Sequence, residues 1–160
     1  MKKQIDINLK NKEDYKNKYN ESILSYDLSN YILEETKGIN INDKIEFVVT
    51  NTFNMDDKEK NYFVDMVRNC FGTDVSEIIN LTKKQFISNL LILFIGIFFL
   101  ILYYIIIPKF ISELTLILGW VFIGESICNF LYKGIENNIK IKRKKQIINA
   151  KIIFKKEKGK

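Results

Sequence analysis

The chain has 160 residues and a net charge of +6, a length that allows one modest domain or a small domain with a membrane anchor. It contains no histidine, which excludes Ser-His-Asp and Cys-His catalytic arrangements and the commonest zinc ligand. Although 47% of the residues are hydrophobic, the charges are segregated: residues 1–82 carry 11 basic and 15 acidic side chains, and residues 133–160 carry 11 and 2. An acidic head, an apolar middle and a basic tail are not typical of a soluble globular protein.

The first 82 residues predict a cytosolic α+β head. Residues 4–9 and 43–50 alternate apolar and polar side chains, which is typical of half-buried strands. Between these strands, apolar residues recur at helical spacing. We expect Ser25 to precede this helix and Gly38 to end it.

Two more helices are expected in the rest of the head, which gives the order strand, helix, strand, helix, helix. The first begins after the acidic pair Asp56-Asp57 and ends at Gly72. The second begins directly after that glycine, where Asp74 and Glu77 have the spacing of a capping box. This last helix is expected to continue into the apolar block.

The sequence of the head identifies no catalytic, cofactor or metal site. Its acidic pairs are adjacent in sequence, which fits solvated helix faces better than acid–base catalysis, and its glycines are scattered rather than grouped in a phosphate-binding loop. Cys70 and Cys128 lie far apart, so we expect no disulfide and a reducing cytosolic setting for the head. We therefore expect no cofactor and no enzymatic activity.

The apolar middle of the chain predicts two transmembrane helices. Residues 86–107 contain no charged side chain, and these 22 residues at about 1.5 Å each reach across the roughly 30 Å of a bilayer's hydrocarbon core. With the preceding lysines, the first transmembrane helix is predicted over residues 83–107. Residues 108–109 predict an extracytoplasmic turn, and residues 110–132 predict the second helix. The alternative, a buried core helix, is disfavoured because so small a chain cannot cover it on all sides.

The distribution of lysines predicts the orientation. Lys109 stands alone at the turn, whereas Lys83, Lys84 and the basic tail flank the open ends. The positive-inside rule then predicts a multi-pass protein of the bacterial inner membrane with both termini in the cytoplasm.

Several residues are expected to pack the two membrane helices together. Asn89 is predicted to lie level with Asn129 and to form a hydrogen bond with it, at a gain of about 0.5–2 kcal/mol. Gly96 and Gly119 would let the two backbones approach closely. Trp120 is too central for an interfacial belt, so we expect it to pack against the first helix.

Glu125 is the most informative single residue, because a carboxylate about two turns inside the membrane edge is costly. One hypothesis is that it handles a proton or an ion, or drives oligomerisation. The other is that it forms a hydrogen bond with Asn129 or with polar groups of the first helix. Because two helices enclose no pathway, transport would require an oligomer.

The tail of residues 133–160 is predicted to begin as an amphipathic helix on the membrane surface, with Ile135, Ile139 and Ile147 toward the lipid. Each basic residue next to a span contributes about 1 kcal/mol of attraction to an anionic leaflet. The basic cluster lacks interleaved aromatic residues, so nucleic-acid binding is disfavoured. The predicted headgroup contacts are Lys83, Lys84, Lys142, Arg143, Lys144 and Lys145.

Residues 151–154 are apolar and rich in β-branched side chains, and a two-stranded head would be marginally stable. We expect this segment to return to the head and add an edge strand to its sheet.

The second span contains Gly119-Trp120-Val121, then Glu125 and Leu131-Tyr132, and a basic segment follows. This pattern resembles that of small uncharacterised bacterial inner-membrane proteins that also carry an N-terminal α/β head. The resemblance implies the same architecture and a role for Trp120 and Glu125. It implies no activity.

The sequence thus favours a non-enzymatic, membrane-anchored module whose cytosolic head recruits or senses a partner. The alternative is an oligomeric pore or transporter component, or a membrane-disrupting effector, that uses Glu125. The expected partners are an anionic bilayer leaflet, further copies of the chain and an unidentified cytosolic protein. The identity of that protein, the oligomer number and any ligand of the head are left open.

Overall fold

A computed structural model describes residues 2–106 and 108–156. The strands in these ranges are β1 (Lys2–Leu9), β2 (Lys44–Asn51) and β3 (Lys151–Lys156), and the helices are α1 (Tyr26–Lys37), α2 (Asp57–Ile105) and α3 (Lys109–Ile148), with a short 3-10 turn at Lys12–Asp14. The chain divides into two compact units, namely unit 1, residues 1–76 with 140–160, and unit 2, residues 77–139. Two parts of the predicted segments lie outside the described residues. These are Ile107, at the end of the predicted first span, and residues 157–160, at the end of the predicted tail.

The three strands of unit 1 form a parallel sheet in the order β1-β2-β3. β1 pairs with β2 so that Ile5 is opposite Phe47, and β3 pairs with β2 so that Phe154 is opposite Val49. The prediction that a C-terminal segment returns as an edge strand is therefore confirmed, and the strand extends two residues beyond the predicted 151–154. A small parallel sheet with helices accounts for the predicted head, and unit 2 accounts for the predicted helical hairpin.

One face of this sheet packs against all three helices. Alternate strand residues such as Ile7 and Phe47 are buried there, together with Ile32 of α1, Phe63 of α2 and Ile147 of α3. Burying each large apolar side chain contributes about 1.5–3 kcal/mol to stability, so this single cluster holds the unit together. It also corrects one expectation. Ile147 was assigned to the lipid-facing side of an amphipathic helix, but it is in the protein core because the helix ends against the sheet.

α1 begins and ends where the sequence indicates. The Ser25 hydroxyl accepts a hydrogen bond from the backbone N–H of Leu28 at 3.4 Å and donates one to the carbonyl of Asp14 at 2.7 Å. Gly38 ends the helix, with its N–H directed at the carbonyl of Thr36. Both predicted termini are confirmed.

α2 differs from the prediction, because residues 57–105 form one continuous helix of 49 residues. Gly72 does not end a helix, and Asp74 does not begin one. A glycine inside a helix costs about 1 kcal/mol, and burial of Phe71 and Val75 on either side of Gly72 outweighs that cost. The Asp74 carboxylate instead forms an ion pair with Lys144 of α3.

Candidate functional site

Unit 2 is a hairpin of two helices whose large apolar side chains lie on the outside. The most apolar 18-residue windows of α2 and α3 are only 11% and 17% buried. Outward-facing side chains include Leu91, Phe94, Ile117 and Val121. This arrangement reverses the polarity of a water-soluble helical pair, in which such residues form the interior.

The fully buried side chains of unit 2 are small and polar, and half-buried apolar side chains such as Phe99 and Phe122 also meet between the helices. Asn89 of α2 is buried, as are Ser112, Thr115 and Ser126 of α3. The Ser126 hydroxyl donates a hydrogen bond to the backbone carbonyl of Asn89 at 2.8 Å and so ties α3 to α2. We call these residues the polar seam.

The polar seam corrects the predicted pairing of Asn89. Asn89 lies opposite Ser126 and not opposite Asn129, so the predicted bond between the two asparagines is wrong. The cause is the turn, because α2 ends at Ile105, two residues before the predicted end, and α3 begins at Lys109, one residue before the predicted start. The residue of α3 opposite Asn89 therefore lies about one turn earlier in the sequence. The seam residues on α3 are two serines and a threonine in an otherwise apolar stretch, and the sequence-based prediction did not include them.

The backbones of α2 and α3 come closest at Gly96 and Gly119. A Cβ atom built on Gly96 would lie 3.0 Å from the backbone nitrogen of Ile123 and 3.1 Å from the carbonyl oxygen of Gly119. A Cβ built on Gly119 would lie 3.1 Å from the carbonyl oxygen of Gly96. Only glycine fits without moving a backbone, so the predicted close approach is confirmed.

The outer surface of α3 carries Trp120 and Glu125, the two residues to which the resemblance assigns a role. Trp120 is 63% exposed, so the prediction that it packs against α2 is wrong. A Cβ atom built on Gly124 would meet no neighbouring atom within 4 Å, and the side chain of Cys128 is exposed. Glu125 is also exposed and, within the described residues, has no hydrogen bond or ion pair.

A second polar contact of unit 2, missed by the sequence analysis, lies toward the open ends of the hairpin. The Asn137 side-chain amide donates to the Thr82 hydroxyl at 3.0 Å and to the Gln85 side-chain oxygen at 3.2 Å. Like Ser126, Asn137 ties α3 to α2 through a polar side chain.

The predicted headgroup residues separate into two groups. Lys83, Lys84, Lys142 and Lys145 are exposed, and their contact with lipid stays a prediction. Arg143 instead donates to the carbonyls of Thr36 and Ile39, the latter at 2.6 Å, and thereby satisfies the C-terminal end of α1.

Lys144 also has partners inside unit 1. Its side chain is only 15% exposed, it is ion-paired with Asp74, and its Nζ lies 5.6 Å from the centroid of the Phe71 ring. Arg143 is the one arginine among the lysines of the tail, but the sequence does not indicate its partners or those of Lys144, because these are more than 60 residues away.

A cavity of about 610 Å³ opens on unit 1 where β2 and β3 begin. Its lining contains five lysines and two carboxylates. These residues are Lys2, Asp43, Lys44, Glu46, Lys142, Lys145 and Lys151, with the remaining lining from Ile41, Asn42, Ile45, Gln146 and Asn149. We call it the lysine cavity.

One carboxylate of the lysine cavity is already neutralised. Lys2 donates to Glu46 at 2.9 Å, and this hydrogen bond lowers the pKa of the Glu46 carboxyl, with a further contribution from the charge of Lys151. Within residues 2–106 and 108–156 no cluster of three or more histidine, cysteine, aspartate or glutamate side chains could hold a metal ion. The cavity is thus a cationic surface.

No protein-family model, curated protein or solved structure matches this chain.

Proposed function

We propose that the chain is an integral membrane protein in which the helices of unit 2 anchor unit 1 to the cytosolic face of a bacterial inner membrane. The observation that supports this most directly is the reversed polarity of the hairpin, with apolar side chains outside and the polar seam inside. Each outward Leu, Ile or Phe favours insertion by about 0.3–0.6 kcal/mol. In water the same surface would be an apolar patch far larger than monomeric proteins expose.

The polar seam also suits a membrane. Association of helices in lipid depends on small residues that allow close packing and on hydrogen bonds between helices. The contact of Gly96 with Gly119 supplies the first, and the bond from Ser126 to Asn89 supplies the second.

Within this proposal, unit 1 acts as a non-enzymatic module that recruits or senses a partner. Its sheet offers a surface for one along β1, because Gln4, Asp6 and Asn8 are exposed on the face opposite the core. On the same face of the central strand β2, Val48 is buried. Parallel sheets are almost always covered on both faces, so the exposed part along β1 is unusual.

Membrane integration is tested first. Membranes from cells that produce the chain are washed with alkaline carbonate, and the protein should remain in the pellet until detergent is added. A reporter that is active only outside the membrane should be silent when fused after residue 160 and active when inserted next to Lys109. Recovery of folded chain in the aqueous fraction would refute the proposal.

The recruiting role needs a separate experiment. A photoreactive residue replaces Asn8 on the exposed face of β1, and crosslinking is carried out in native membranes. In the matched control the photoreactive residue replaces Lys58, an exposed residue of α2. We expect a discrete adduct at position 8 that is absent at position 58. Identical patterns at the two positions would argue against a docking role for the sheet.

One observation favours a second function, an oligomeric pore or transporter component. Glu125 is exposed on the outside of the hairpin without a partner in the described residues, so a partner for its carboxylate has to come from outside the chain, either from a further copy or from water and headgroups at the membrane edge. Glu125→Gln should abolish ion flux through reconstituted protein, whereas Glu113→Gln, the same change near the turn, should not. If Glu125→Gln leaves the ion flux unchanged, or if the unaltered chain conducts no ions, the result would favour the anchored module.

A further inference from the structure

We propose that the lysine cavity of unit 1 binds a phosphate group. Two sources share this chemistry, the headgroup of an anionic phospholipid and a soluble phosphate compound. The lipid source rests on the proposed membrane anchoring, whereas the soluble source does not.

The lining of the lysine cavity carries positive charge that the protein itself does not neutralise. Lys44, Lys142 and Lys145 form no ion pair within the described residues. The lining has five lysines against two carboxylates, so positive charge is in excess even with Asp43 counted, and the other carboxylate, Glu46, already has Lys2 and Lys151 nearby. Lysines held near one another repel, so an anion that neutralises them gains binding energy from each.

The lysines of the cavity come from four elements that the core holds in place. Lys2, Lys44 and Lys151 are the first residues of β1, β2 and β3. Lys142 and Lys145 are three residues apart on α3, which sets them on one face of that helix. The core therefore fixes the backbone positions from which these side chains reach the cavity, so the backbone needs no ordering when an anion binds.

The wall of the cavity is also fixed. The Gln146 side-chain amide donates to the carbonyls of Asn40 at 2.9 Å and Asp43 at 2.7 Å, which attaches the loop before β2 to the end of α3. One effect opposes an anion here, since the last carbonyls of α3 carry a partial negative charge. Lys145 lies in that last turn and offsets it.

The lining indicates which anion fits. A volume of about 610 Å³ lies within the range of small-molecule sites. Lysine binds phosphate as a point charge, and Asn42 and Asn149 add amide donors. The lining contains no aromatic side chain, so stacking of a nucleobase is not supported and nucleic acid is disfavoured.

The test uses the full chain in phosphatidylcholine nanodiscs with two probes. Inorganic pyrophosphate, followed by calorimetry, represents the soluble source. Phosphatidylglycerol mixed into the nanodisc, counted by native mass spectrometry after detergent release, represents the lipid source. The cavity variant carries Lys44→Gln, Lys142→Gln and Lys145→Gln.

The matched control carries the same charge change on exposed lysines outside the cavity, Lys10→Gln, Lys18→Gln and Lys58→Gln. We expect the cavity variant to weaken binding of at least one probe by tenfold or more, and the control to change it by less than twofold. The probe that responds identifies the source. Replacing the three cavity lysines by arginine should retain binding, which separates loss of charge from loss of folding.

Absence of saturable binding for both probes, or equal losses in the cavity and control variants, would overturn the inference. Failure of the membrane proposal is recognised separately, because chain recovered in the aqueous fraction can still be titrated with pyrophosphate.

Discussion

The contact between Gly96 and Gly119 makes a quantitative prediction about the hairpin. In Gly96→Ala the new methyl group would lie 2.7 Å from Cγ1 of Ile123, a β-branched side chain whose rotamer is restricted in a helix. It would also lie 3.0 and 3.1 Å from backbone atoms of Ile123 and Gly119, which cannot rotate away, so the helices must separate by a few tenths of an ångström. Overpacking of this kind costs about 1–3 kcal/mol, or about 5- to 150-fold in the equilibrium between closed and open hairpin.

The assay should measure separation of the helices and not loss of helix. Spin labels at Ile87 and Leu131, both exposed, report the distance between α2 and α3 during titration of dodecylphosphocholine micelles with SDS. In micelles the open hairpin keeps its helices, so the higher helix propensity of alanine should cancel between the two states. The free energy of opening is then the packing contribution alone.

Gly124→Ala is the matched control, because a Cβ at Gly124 meets nothing within 4 Å. Its free energy of opening should stay within about 0.5 kcal/mol of the original chain. If Gly96→Ala opens at the same SDS fraction as the unchanged hairpin, or if Gly124→Ala is equally harmful, close backbone approach does not hold the helices together.

Three further predictions concern unit 1 and are measured as thermal melting of the purified chain in detergent. Tyr15 is fully buried and its hydroxyl has no partner in the described structure, so Tyr15→Phe should stabilise the fold by about 1 kcal/mol. Burial also raises the pKa of Tyr15 above its usual 10.0, so the folded state keeps this proton longer than the unfolded state does. Ionisation of Tyr15 should therefore leave the free energy of unfolding unchanged below pH 10 and lower it as pH rises above 10. Tyr15→Phe should remove this part of the alkaline destabilisation, and identical dependences of melting temperature on pH in the two chains would contradict the assignment. Arg143→Gln should cost about 1.5–3 kcal/mol because two carbonyls of unit 1 lose a charged donor, whereas exposed Lys142→Gln should cost under about 0.5 kcal/mol; equal shifts would refute the assignment. Truncation after residue 149 removes β3 and should abolish cooperative melting of unit 1, and an unchanged transition would show that the third strand is dispensable.

Local chemistry explains what the sequence predicted well. Three predictions depended only on neighbours within a few residues, and all three were correct. They are the two alternating strands, the start of α1 at the hydroxyl of Ser25 and the end of α1 at Gly38. The returning strand at residues 151–154 was also predictable, since no other role suited its β-branched run.

Distant contacts explain what the sequence could not give. Gly72 looks like a helix terminus until the burial of Phe71 and Val75 is known. Arg143 and Lys144 look like their exposed neighbours until α1 and Asp74 are seen beside them. The lysine cavity combines residues from both ends of the chain, so no local pattern indicates it.

The division of unit 1 between the two ends of the chain has a consequence for biosynthesis. About 100 residues separate β2 from its neighbour β3, and at 5–20 residues per second a ribosome needs roughly 5–20 s to make them. During that interval the edge of β2 that later pairs with β3 is open. Translation of the hairpin therefore precedes completion of the sheet, and a nascent chain stalled before residue 151 should expose the edge of β2 to chaperones.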